Sequence, residues 1–130
     1  MTPRLTEEIA LLKKRFTDLV AHESGWVYLP RYPCPPQWGK TDTPIVFLIP
    51  PGYPGTPPYA FYVPSGMRYN GQPANNCQDP APQQPPFPGP WAVLSWAPDA
   101  GAWRPGANVA SGSNLMNWVQ GFSERLRQGV

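Results

Sequence analysis

The sequence predicts an α+β domain: one helix, a run of three or four antiparallel strands, a long irregular segment, and a closing helix packed on the sheet. Three observations carry this. Apolar residues at helical spacing open the chain (Leu5, Ile9, Leu12, Phe16, Leu19) and close it (Leu115, Val119, Phe122, Leu126). Between them lie β-branched and aromatic runs punctuated by proline and glycine. A chain of 130 residues encloses one modest core, so residues 1–130 form a single domain.

Each element has a local reason. The first helix is expected over about Thr6 to Ala21, with the Thr6 hydroxyl as cap and Glu7 and Glu8 suited to the positive end of the macrodipole; it stops near Ser24-Gly25. Trp26-Val27-Tyr28-Leu29 is the first strand, followed by a proline-broken segment to Trp38 and a polar turn over Lys40 to Thr43. Ile45 to Ile49 is apolar throughout, which places it centrally with both faces covered. Tyr59 to Val63 is the third strand, entered through the proline-stiffened turn Pro50-Pro51-Gly52-Tyr53-Pro54. From 64 to 90 periodicity gives way to Gly, Pro, Asn and Gln, a loop or insertion whose length marks it as functional or disordered. Trp91 to Trp96 returns the chain to the core, and the last helix runs to about Arg127 with Ser111 or Ser113 as its cap.

Composition excludes several function classes. Ten Lys and Arg against eight Asp and Glu leave a scattered net charge of +2, too small for a nucleic-acid footprint. Pro and Gly are abundant, at 21 and 12 residues, yet six Trp, six Tyr and five Phe supply apolar surface that disordered chains lack. Cys34 and Cys77 are too few and too far apart for a disulfide framework or a metal site, so neither a metal nor a cofactor is expected. No run reaches membrane-spanning length and the amino-terminal segment lacks an apolar signal centre, which points to the cytoplasm.

Two motifs carry a resemblance. Pro51-Gly52-Tyr53-Pro54 with Pro57-Pro58, and Trp103-Arg104-Pro105-Gly106 ahead of a helix, resemble the ubiquitin-conjugating enzymes and in detail their small bacterial relatives, over roughly Trp26 to Leu126. The family's His-Pro-Asn is absent. The resemblance implies a UBC-like fold and a carrier that takes a ubiquitin-like protein from an activating enzyme as an ester and passes it to an acceptor. It equally admits an inactive adaptor of the same fold. It further implies that Tyr53, Pro54 and Pro105 are structural beside the site, and that Lys13, Lys14 and Arg15 on the first helix face the activating enzyme.

The nucleophile depends on the anchor. Cys77 lies 19 residues after Pro58, close to the family interval, with Asn70 seven residues before it near the family asparagine. Ser95 precedes Trp103 by eight residues, the family's usual separation, and follows the apolar pair Val93-Leu94. A thiol transfers acyl groups readily, whereas a serine needs a base, for which Asp99 is the nearest candidate. Position favours Ser95 and chemistry favours Cys77, so an oxyester and a thioester both stand. Each residue also has a plain reading: Cys77 an unpaired loop thiol, Ser95 a polar residue on a strand, Asn70-Gly71 a turn signal, and Trp96 and Trp103 core or wall with one exposed for docking. Two proline-rich patterns, Pro82 to Pro85 and Pro85 to Pro88, fit ligands of aromatic grooves but read first as spacers.

Overall fold

The computed structural model describes residues 2–98 and 101–130. Helix α1 (Pro3–Arg15) starts three residues earlier than expected, because Thr2 takes the cap position and its hydroxyl accepts the Leu5 amide at 3.2 Å. It also ends six residues earlier. Val20–Ala21 leaves the helical stripe to pair as β1 with β2 (Trp26–Pro33), Val20 opposite Tyr28 and Ala21 opposite Val27. The β-branched valine gains more on a ladder than in a last helical turn, and Gly25 closes the intervening turn at φ 98.

Strands β3 (Asp42–Leu48), β4 (Phe61–Pro64), β5 (Arg68–Tyr69), β6 (Gln72–Pro73), β7 (Cys77–Gln78) and β8 (Trp91–Leu94) follow, and α2 (Leu115–Arg127) closes the chain. The main sheet is antiparallel and six-stranded, ordered β1-β2-β3-β4-β8-β7, with β5 and β6 forming a separate hairpin. The α+β class is as expected, and the sheet is wider than a simple meander because the segment 64–90 contributes β7 before β8 enters beside β4.

One face of the sheet carries the main core. Val27, Leu29, Ile45, Phe47, Phe61 and Leu94 meet Ile9 and Leu12 of α1 and Leu115, Trp118 and Phe122 of α2. Polar anchors fix the depth of α2: the Tyr32 hydroxyl donates to the Val119 carbonyl at 2.6 Å, and the Trp38 indole to that of Leu126 at 2.9 Å. Asn114, not Ser111 or Ser113, caps α2 in a reciprocal capping box with Asn117.

The other face explains the proline-rich segment. Trp26, Val46 and Trp91 form a second cluster with Tyr28 and Tyr62, and Phe87 covers it, its ring stacked on Tyr28 at 5.0 Å. Gln84 stitches the segment down: its amide donates to the carbonyls of Ala81 and Trp91 at 2.9 and 3.0 Å and accepts the Trp91 N–H at 2.9 Å. The residues 80–90 are thus a lid on the outer sheet face, which is how the apolar run of β3 from Ile45 to Leu48 is covered on both sides.

Candidate functional site

The two motifs behind the resemblance meet in space. The Trp103 indole donates to the Pro54 carbonyl at 2.8 Å, and its ring lies 6.0 Å from that of Tyr53. The Tyr53-Pro54 peptide is cis. Pro105 bridges to Gly112, where φ is 72 and a side chain would strike the Arg104 carbonyl. Tyr53 and Trp103 are both buried, so they build the corner and offer no docking face.

Two residues that the sequence had not tied to the site hold this corner. One of them, Glu8, lies beyond the first turn of α1 and is buried, not an acid at the helix's positive end as expected. Glu8 is 2% exposed and its carboxylate accepts three hydrogen bonds: from the Tyr53 hydroxyl at 2.6 Å, the Leu115 amide at 2.6 Å and the Arg4 Nε at 2.8 Å. Arg4 in turn donates to the carbonyls of Gly106 and Ser113. One carboxylate therefore joins α1, the tyrosine turn and the amino-terminal end of α2, where the helix dipole favours its charge. Burial and the bond to Glu8 push the Tyr53 phenol well above its ordinary pKa. A signal was present. Glu8 falls between Leu5, Ile9 and Leu12 at the spacing of the apolar stripe, and a charge in that place points inward.

The candidate nucleophiles are neighbours in the sheet yet face opposite ways. Cys77 stands opposite Leu94, and the Ser95 amide donates to the Asn76 carbonyl at 2.8 Å. Because side chains alternate along a strand, Cys77 shares the inner face with Leu94 and packs on the main core, while Ser95 turns to the outer face beside Val93. They share no groove. The Cys77 thiol is pushed up by burial and by nearby Asp79, which keeps it protonated at neutral pH. Ser95 is exposed, and among the described residues no base bonds to its hydroxyl.

The remaining candidates take ordinary places. Asn70, at φ 51, and Gly71, at φ 78, make the two-residue turn of the β5–β6 hairpin, and nothing links the Asn70 amide to Cys77 or Ser95. Asp99 lies outside the described residues. Lys13, Lys14 and Arg15 are exposed in the last turn of α1, where positive charge suits the dipole. Trp96 is half-buried, stacked on Trp118 at 5.1 Å. Among the described residues no cluster of ligands fits a metal ion, and no helix is long and apolar enough to cross a membrane.

Thiol chemistry gives a direct measurement. Burial raises the Cys34 pKa to about 11, and Cys34 is more enclosed than Cys77. Alkylation by iodoacetamide at about pH 7.5, followed by peptide mass mapping, is expected to label Cys77 more slowly than free cysteine and Cys34 more slowly still, since only thiolate reacts. Fast labelling of Cys77 would contradict the packing described. Compared with models of protein families, with curated proteins and with solved structures, the chain finds no match in any of the three.

Proposed function

We propose that this chain is a ubiquitin-conjugating-enzyme-like domain acting in the cytoplasm as a non-covalent adaptor of a ubiquitin-like modification complex, with a ubiquitin-like protein and its activating enzyme as partners. The resemblance of the Tyr53-Pro54 and Trp103-Arg104-Pro105 motifs supports the family reading, strengthened by their direct contact through the Trp103 indole. The observation that carries the adaptor over the enzyme is the state of the two nucleophiles. Cys77 is turned inward and held protonated, and Ser95 has no base bonded to it among the described residues. Acyl transfer needs an activated nucleophile, and among the described residues no group bonds to either one so as to activate it. The exposed cations Lys13, Lys14 and Arg15 supply a docking face for an acidic partner surface.

A covalent carrier is the second reading, favoured by the exposure of Ser95 at the end of β8, eight residues ahead of Trp103. One experiment separates the two. The chain is incubated with a ubiquitin-like protein, its activating enzyme and ATP, and analysed by intact mass and size-exclusion chromatography. The adaptor reading expects a complex without an adduct, weakened by Lys13→Glu with Lys14→Glu. An adduct that resists reductant and is lost in Ser95→Ala establishes the oxyester carrier; one that reductant removes and Cys77→Ala abolishes establishes the thioester. Absence of both complex and adduct rejects the family reading.

A further inference from the structure

The outer face of the sheet is covered by the proline-rich lid at one end only. At the other end an open groove of about 450 Å³ runs between the tyrosine turn and the lid. Its walls are Pro50, Pro51, Pro57 and Pro82, and its floor holds Tyr62, Val93 and Ser95. Tyr59 stands in it 66% exposed, the most open of the large hydrophobic side chains among the described residues.

Every residue lining this groove comes from two stretches, Thr43 to Met67 and Pro80 to Pro98, which contain no Asp, Glu, Lys, Arg or His. All the chain's formal charge lies elsewhere. Its polar side chains are all uncharged and all able to donate: the hydroxyls of Tyr59, Tyr62, Thr56 and Ser95 and the amide of Gln83, none engaged by another group among the described residues. The backbone beside Tyr59 is held in an unusual state. Ala60 has φ 66, and its amide donates to the Trp96 carbonyl at 2.8 Å. A residue with a Cβ in the left-handed region costs about 1 kcal/mol or more, a cost found mostly where a site demands the geometry. Here Ala60 is buried while the adjacent Tyr59 points out into the groove.

We propose that this groove binds an uncharged, proline-rich segment of a partner protein in the polyproline II conformation. The match is one of charge and hydrogen bonding. A proline-rich strand carries no side-chain charge and lacks N–H donors at its prolines, leaving a row of carbonyl acceptors. A groove that is neutral, walled by aromatic and pyrrolidine rings and furnished with hydroxyl donors complements such a strand. It disfavours a charged peptide, whose desolvation no group there repays. The extended strand is also ordered beforehand, so little conformational entropy is lost on docking. Occupation of the groove requires neither a ubiquitin-like protein nor a covalent step, so the inference stands apart from the adaptor reading.

The test uses the full chain labelled with ¹⁵N and a decaproline peptide with blocked ends. Saturable shifts confined to the amides of the tyrosine turn, β4 and the end of β8 are expected. Affinity should fall about tenfold or more in Tyr59→Ala, a change at an exposed position that leaves the core intact. Ser95→Arg, which puts a charge and a long side chain on the floor, should abolish the shifts. A blocked Gly-Ser peptide of equal length should leave the spectrum unchanged. The proposal is overturned if decaproline shifts nothing, if it binds Tyr59→Ala as tightly, or if the Gly-Ser peptide binds equally. Sedimentation showing the groove covered by a second copy of the chain would also overturn it.

Discussion

Glu8→Ala is expected to destabilise the fold by about 3–5 kcal/mol, the range for removing one partner of a buried, hydrogen-bonded charge pair. The alanine would leave the Tyr53 hydroxyl and the Leu115 amide buried without an acceptor, and such orphans cost about 1–3 kcal/mol each. Arg4 keeps the carbonyls of Gly106 and Ser113, so its charge is only partly stranded. Glu8→Gln, which retains the shape and one acceptor oxygen, should fall between the wild type and the alanine. Tyr53→Phe removes one donor from a carboxylate that keeps two others, at a cost of about 1 kcal/mol. Urea unfolding followed by tryptophan fluorescence measures all three, and a Glu8→Ala loss below that of Tyr53→Phe would show that the corner is held by packing alone.

The same corner sets a pH dependence. Tyr53 binds its proton more tightly in the folded chain than at the ordinary value of 10.0 in the unfolded one. Above that value the unfolded state ionises first, so the stability contributed by the buried phenol is intact at lower pH and is lost as pH rises. Alkaline unfolding should therefore be shallower in Tyr53→Phe than in the wild type, measured between about pH 9 and 11.

Much of the architecture was legible because periodicity reports burial. The stripe of the closing helix and the apolar run Ile45 to Ile49 led to the observed α2 and β3, and Asn70-Gly71 is the turn its residue types require. The first helix was read too long because Phe16 and Leu19 continue the spacing, and spacing alone does not reveal that Val20 and Ala21 find a ladder partner in β2. The segment 64–90 looked structureless for a similar reason. Its order comes from single fasteners, the Gln84 amide bonded to Trp91 and the Phe87 ring stacked on distant Tyr28, which leave no repeating trace in a sequence. The site was legible to the level of its motifs and no further. Counting residues from Pro58 or from Trp103 locates Cys77 and Ser95 along the chain, but which face each side chain takes depends on the register of β7 against β8.

Just past β8 the chain packs on α2 through Trp96, and the second large effect is expected there. Trp118 is 1% exposed, packs edge-on to Phe47 and Phe122, and stacks face to face on Trp96 with an interplanar angle of 7°. Trp118→Ala should cost about 3–5 kcal/mol through the cavity it leaves. Trp118→Phe should cost far less, because the indole N–H is buried with no partner among the described residues, so its loss breaks no bond to them. Gly121 probes the same contact from the helix. By propensity alone Gly121→Ala would stabilise α2 by about 1 kcal/mol, but the new Cβ would lie 2.6 Å from the far edge of the Trp96 ring. Trp96 is stacked on Trp118 and must shift out of that stack to admit the new Cβ, so the substitution should destabilise. In a Trp118→Ala background the ring gains that room, and Gly121→Ala should then stabilise. A double-mutant cycle in urea measures this reversal of sign; additive costs would mean that Trp96 is not clamped by α2 at all.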